Sequence, residues 1–440
     1  MLLAENLLEE LKTIIPQERI KEKDRKSDPL GNSGKITVLP VTEEEISAVL
    51  AYANEQGKKI VIEGGGTKRG FGGVEEEGDI LLSMAEFKGV VEHTAGDMTL
   101  TVKAGTTFNE LQDFLLDYEQ QISLDPPLRE QATIGGIVSA NESGPKRLGY
   151  GSSRDAVIGL RMIYPDGTII RAGGKVVKNV AGYDMNKLFI GAMGTLGVIT
   201  EVTVKLRPIA KYESLILLSF EEQDLEKIRA FSKELLDSSI EPVVCELLNP
   251  SLSKKLIGEE QYTLAVSFED VESSVHYQEE FVKKMKPDGA KLKLLSGMDA
   301  QDFWRIFSAI APNGNEEESF EEAAVKIGAV NLTIVDIIKE SRQLSSSFSV
   351  SAEAHGGLGH GISSVYLKGE SKELLKAITH LRKTAESLGG YAIVKHLPLA
   401  LRKEIEVWGK KPAYFFLLEG IKKKIDPKRT LNPKRYVGGL

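Results

Sequence analysis

The stretch ITVLPVTEEEISAVLAYANEQGKKIVIEGGG, Ile36 to Gly66, holds one complete unit of alternating structure. It opens on a short strand. Thr42 with Glu45 has the spacing of a capping box, which starts a helix. Ile46, Val49, Leu50 and Ala53 fall on one helical face, and Gly57 ends the helix. Lys59 to Ile62 begins the second strand of a βαβ unit, so Gly64, Gly65 and Gly66 sit where that strand runs out. Glycine admits close approach to the backbone, and successive amides can then turn toward one anion. A phosphate suits such a loop. The stretch is neither of two familiar phosphate loops, because Arg69 stands where a dinucleotide fingerprint needs glycine and no Gly-Lys-Ser/Thr tripeptide follows. Read alone, it also fits a glycine-rich surface turn between two strands.

The chain is 440 residues long, enough for two or three domains. Lys+Arg 56 against Asp+Glu 64 gives a net charge of −8 with the signs interspersed, which excludes a nucleic-acid surface and an anionic-membrane patch. The one basic cluster, Lys422 to Lys424, reads as a solvated helix face. Cys245 is the single cysteine, so the chain has neither a disulfide framework nor ligands for an iron–sulfur cluster. The amphipathic start lacks the basic region and cleavage site of a signal peptide, and no window approaches the ~20 apolar residues that span a bilayer. These features predict a cytoplasmic protein without direct membrane insertion, held at the inner membrane face only through partners.

Residues 1–35 read as an N-terminal helix and a polar loop. From Asp79 to Gln121 the pattern is strand, turn, strand, helix. Thr133 to Pro208 is dense in glycine yet carries strand signals such as VIGLRMIYP and GVITEVTVKL. The character changes after Pro208, which places a boundary near Ile209. Beyond it, ESLILLSF, EPVVCELL, YTLAVSF, KLKLLSG, VNLTIV, FSVSAEA, ISSVYLKG and YAIVKH read as strands. Helices are expected over Glu222–Leu236, Ser273–Lys286 and Lys372–Leu388. This is an α+β pattern with helices packed on an antiparallel sheet. The domains are therefore drawn as 36–208, 209–420 and a C-terminal segment, 421–440, packed back on the first.

Three runs together, the GGGTK loop, TIGGIVSANESGPKRLGYGSSRD and KNVAGYDMNKLFIGAMGTLGVIT, resemble the flavoproteins related to vanillyl-alcohol oxidase and p-cresol methylhydroxylase. The resemblance implies an FAD-binding domain of two α+β subdomains followed by an α+β cap domain. It implies FAD contacts by Gly64, Gly65, Gly66, Thr67 and Lys68 in the first run. Thr133, Gly135, Gly136, Asn141, Ser143, Gly144, Tyr150 and Gly151 follow from the second, and Gly197 and Ile199 from the third, with Pro126 bordering the flavin. Within this superfamily the phrase SGPKRLGYGSSRDAVIG, the tail RTLNPKRYVGG and VWG at Val407 to Gly409 are similar to the smaller FAD-binding subunit of bacterial glycolate oxidase. That likeness implies a larger FAD subunit and an iron–sulfur subunit as partners and a small 2-hydroxy acid as substrate.

Two departures from the superfamily stand out. Ala192 and Met193 replace the serine-glutamate that many relatives carry before the GTLG turn. AHGGLGHG places His355 and His360 five apart, whereas the larger subunits carry paired histidines seven apart that can ligand a metal. No metal site is therefore expected. The glycine loop holds no histidine or cysteine to tether a flavin, so FAD is expected to bind non-covalently. Oxidising a 2-hydroxy acid needs a base for the hydroxyl proton. His355, at a strand end in a glycine-rich turn, is the first candidate, ahead of His396, His93 and His380. Cys245 reads as a buried strand residue. Three readings remain open: a catalytic subunit passing electrons to a partner, a flavin-bearing relay or structural subunit, and a stand-alone dehydrogenase of another hydroxy acid or a sugar.

Overall fold

The structure, a computed structural model, describes residues 2–22, 28–75, 77–175, 183–313 and 321–440. The run KNVAGYDMNKLFIGAMGTLGVIT is thereby covered only from residue 183 onward. Two compact units emerge: residues 1–142, 152–208 and 398–440 form one, and residues 143–151 with 209–397 form the other. The second unit takes in Ser143–Gly151 and resumes at Ile209. The chain returns to the first unit at Pro398.

The first unit contains two sheets. One has the order β1 (Ile20–Glu22), β2 (Ser33–Val38), β4 (Glu77–Ser83), β3 (Ile60–Glu63). Parallel pairing of β2 and β3 with β4 puts the ends of both strands on the same edge. The helix Glu43–Glu55 connects β2 to β3, and its capping box is present, with the Glu45 amide donating to Thr42 Oγ1 at 3.2 Å. Ile46, Val49, Leu50 and Ala53 are fully buried in the core beneath this sheet, as the helical spacing requires.

The second sheet is antiparallel, in the order β5 (Val90–Thr94), β6 (Thr99–Lys103), β10 (Val198–Pro208), β8 (Val157–Ile163), β9 (Ile169–Gly173), with β7 (Gln120–Ile122) also paired to β10. Its core takes in Phe108, Ile134, Ile137 and Val138, so the helix Ile134–Ala140 in the glycine-rich stretch is anchored by apolar side chains.

The second unit is built on one eight-stranded antiparallel sheet. Its order is β14 (Lys291–Ser296), β11 (Tyr212–Phe220), β13 (Tyr262–Asp270), β12 (Val244–Leu248), β16 (Ser351–Gly357), β17 (Ile362–Gly369), β15 (Glu321–Gly328), β18 (Tyr391–His396). Seven of these strands were legible. The exception corrects the sequence reading: VNLTIV is a 3₁₀ turn, Asn331–Thr333, running into the helix Ile334–Phe348, and the strand at that place in the order is Glu321–Gly328. β-Branched residues favoured a strand locally. Burial of Ile334, Val335, Ile337, Ile338, Ser341 and Leu344 at helical spacing decided otherwise.

Lys422 departs from the solvated face expected of it. It is 2% exposed, and its ammonium meets the Asp426 carboxylate at 2.6 Å.

Candidate functional site

A cleft in the first unit gathers the expected loops. Gly64, Gly65, Gly66, Thr67, Lys68, Thr133, Gly135, Gly136, Gly197 and Ile199 all line it. It is open to solvent, with about 80 Å³ of space for the centres of water-sized molecules inside. The glycines are required by proximity. A Cβ on Gly65 would lie 1.7 Å from the Gln131 carbonyl oxygen, and one on Gly64 would lie 2.1 Å from Thr133 Oγ1. Without side chains, the end of β3 seats directly on the segment before the helix Ile134–Ala140, whose Thr133 caps the Gly136 amide at 3.3 Å.

Fit to a diphosphate can be judged from the donors left over. Among the described residues, the amides of Gly64, Gly65, Gly66 and Thr67 donate to no acceptor of the protein. Four consecutive amides without a protein acceptor at a cleft wall suit an anion with several oxygens. Lys68 adds charge at the same wall, its ammonium 3.8 Å from the buried Glu142 carboxylate. Asn141, which does not itself line the cleft, closes the helix in the left-handed region, φ 48°, with its Oδ1 buried and without a partner. These features fit FAD. No histidine, cysteine or tyrosine lines the cleft among the described residues.

The remaining expected contacts fall elsewhere. Pro126 is buried beside β7 and does not line the cleft. Ser143, Gly144, Tyr150 and Gly151 belong to the second unit. There the Tyr150 hydroxyl donates to Glu269 at 2.6 Å, and Lys146 bridges Glu213 at 2.8 Å and Glu269 at 2.5 Å. Burial raises the phenol well above its ordinary range; Lys146 opposes the rise and Glu269 adds to it.

Several residues lining the cleft were not among the expected contacts, two of them from far along the chain. Asn432 and Arg435 come from the C-terminal segment, whose NPKR phrase carried no phosphate signal of its own.

In the second unit, His355 lies on β16, 7% exposed. Its Nδ1 is 2.6 Å from Oε1 of the buried Glu246 on β12, and its Nε2 is 3.2 Å from the Tyr366 hydroxyl on β17. The register places Leu248 opposite His355 and Glu353 opposite Tyr366, so both partners reach the imidazole diagonally across neighbouring strands. Phe307 closes over the ring, with centroids 4.8 Å apart. His360 stands nearby, its Nε2 3.7 Å from the other Glu246 oxygen, and burial lowers its pKa. The other candidates have ordinary roles: His93 pairs with Gln120, His380 with Glu340, and His396 is buried in β18. Among the described residues no cluster of three or more His, Cys, Asp or Glu could hold a metal.

With this geometry established, comparisons with known proteins decide the cofactor. Residues 34–173 match a family described as an FAD binding domain. Over that stretch the chain resembles an FAD-binding domain. Its fold is that of the p-cresol methylhydroxylase type. It superposes on 4-ethylphenol oxidase from Gulosibacter chungangensis with a TM-score of 0.79 at 15% identity, covering 98% of this chain and 96% of that one. With p-cresol methylhydroxylase the TM-score is 0.75 at 13% identity, with the same coverages. In sequence, it is 28% identical over 426 residues to a D-lactate dehydrogenase of Archaeoglobus fulgidus, covering 92% of each chain. It is 26% identical over 435 residues to glycolate oxidase subunit GlcD of Bacillus subtilis, covering 90% of this chain and 87% of the relative.

Proposed function

We propose that this chain is an FAD-linked oxidoreductase that oxidises glycolate, D-lactate or a similar short 2-hydroxy acid, with His355 as the base. The observation that carries the reading is the chain Glu246–His355–Tyr366. A carboxylate accepting from Nδ1–H fixes the imidazole tautomer and leaves the Nε2 lone pair as acceptor. Tyr366 donates to that lone pair, so a proton released by a substrate hydroxyl would pass to the Tyr366 oxygen as the Tyr366 proton moves to Nε2. Glu246 then faces an imidazolium and stabilises it. The D-lactate dehydrogenase and glycolate oxidase relatives support this substrate class.

FAD, when bound, supplies the two-electron acceptor for the oxidised carbon. The free amides of Gly64 to Thr67 hold its diphosphate, with Lys68 balancing charge. Non-covalent attachment is supported by the cleft lining, which among the described residues holds no histidine, cysteine or tyrosine. The resemblance of its sequence to the smaller flavoprotein of bacterial glycolate oxidase supports placement beside a larger FAD subunit and an iron–sulfur subunit that receive the electrons. Among the described residues, no helix is long and apolar enough to cross a membrane, in keeping with attachment through partners.

A second reading, a relay subunit without turnover of its own, is favoured by one observation. The His355 ring is almost sealed, and both nitrogens already have partners. His355→Gln separates the two. Flavin reduction by glycolate and by D-lactate is followed under single-turnover conditions, with FAD content as the folding control. Loss of the base is expected to slow reduction ~100- to 10,000-fold with FAD retained. Unchanged reduction removes His355 from the mechanism, and no reduction in the wild-type protein with its partners supports the relay.

A further inference from the structure

The cleft is closed at its back by the C-terminal segment, which grips both walls. On the first wall, the Ile60 amide donates to the Thr430 carbonyl at 2.8 Å, and the Asn432 amide returns to the Ile60 carbonyl at 2.8 Å. The Asn432 side chain then spans the two walls. Its Oδ1 accepts the Ile62 amide at 2.9 Å, and its Nδ2 donates to the Met193 carbonyl at 2.7 Å.

Lys422 repeats the bridge, donating to the Thr195 carbonyl at 2.7 Å and the Leu431 carbonyl at 3.2 Å. Its partner Asp426 caps the Thr430 and Leu431 amides at 2.8 and 2.9 Å. Arg435 reaches the glycine loop itself, donating to the Lys68 carbonyl at 2.9 Å. The loop's Lys68 carbonyl is thereby held, while among the described residues the amides of Gly64 to Thr67 donate to no acceptor of the protein.

We propose that Asp426–Arg435 is a brace for the FAD site, in which Asn432 fixes the spacing between the Gly64–Lys68 loop and the Met193–Gly197 turn. This rests on the assignment of the cleft to FAD. Asn432 is a positioning residue: it acts on the cofactor through the two backbone walls it joins. Burial supports the same view of Arg435, whose guanidinium is pushed down to about 10 by desolvation, with Glu63 opposing that shift. A charge kept there without a full carboxylate partnership suits a cleft that receives an anion. Linkage makes the proposal reciprocal: if the docked brace favours FAD, bound FAD favours the docked brace by the same factor.

Asn432→Asp tests it with almost no change of shape. Asn432 has φ 41°, a left-handed conformation that aspartate also tolerates. The carboxylate still accepts from Ile62 but sets an oxygen against the Met193 carbonyl. The FAD dissociation constant, measured by flavin fluorescence, is expected to rise about 10- to 100-fold. An unchanged constant overturns the proposal. Hydrogen exchange on the wild-type chain provides the second arm and does not depend on the variant folding. FAD should slow exchange at Thr430 to Asn432 together with Gly64 to Thr67, whereas protection of the glycine loop alone overturns the brace. If the wild-type chain binds no FAD, the cofactor assignment fails instead.

Discussion

Adding a single methyl group at Gly65 tests whether the phosphate wall depends on contact between backbones. The Cβ of Gly65→Ala would stand 1.7 Å from the Gln131 oxygen and 2.7 Å from its carbon. That is about half the ~3.5 Å of a comfortable contact, and the opposing atoms are main chain, which no rotamer change can move. Relief requires β3 to retreat from the segment ahead of Thr133. Overpacking of this kind costs about 1–3 kcal/mol. Because the retreat displaces the amides that would hold the diphosphate, most of the cost should appear as lost FAD affinity, roughly 5- to 150-fold.

The assay is titration of the FAD-free protein, with the melting temperature of the FAD-free form as reference. Gly57→Ala is the control, since Gly57 has φ +65° with nothing within 4 Å of its Cβ position. It should lower stability by about 1 kcal/mol through backbone strain and leave FAD affinity unchanged. Equal FAD affinity in Gly65→Ala and wild type would refute the reasoning, as would equal affinity losses in the two variants.

Two further expectations concern the second unit. Desolvation holds the His360 pKa below the ordinary 6.5, so the unfolded chain takes up this proton at higher pH than the folded one does. Stability from this group is complete above pH 6.5 and is lost as pH falls through the depressed folded value; between about pH 7.5 and about pH 5.5, calorimetry should show a smaller melting-temperature drop in His360→Gln than in wild type, and equal drops would contradict this. Burial pushes the Cys245 thiol up to about 12, so a thiol reagent should label it only at the rate of unfolding, and stoichiometric labelling of the native protein would show that β12 opens freely.

Local signals in the sequence determined much of the framework. The capping box at Thr42, the buried face of its helix and the glycines after β3 depend on residues a few positions apart, and such short-range chemistry is written directly in the chain. Most strands of the large sheet were legible for the same reason, through alternation and bounding turns. VNLTIV shows the limit: its side chains suit either state, and packing under the sheet selected the helix.

Tertiary structure alone decided how the sites are assembled. His355 could be singled out as a titratable group in a turn. Its partners Glu246 and Tyr366 were chosen by strand order and register, which no local pattern encodes. The brace is the extreme case, because Asn432 meets Ile62 across 370 residues of chain. Asparagine and arginine in a proline-containing tail read as a surface segment. They became part of a cofactor cleft because β3 offered an unpaired edge and two walls exposed backbone groups that only a returning chain could satisfy.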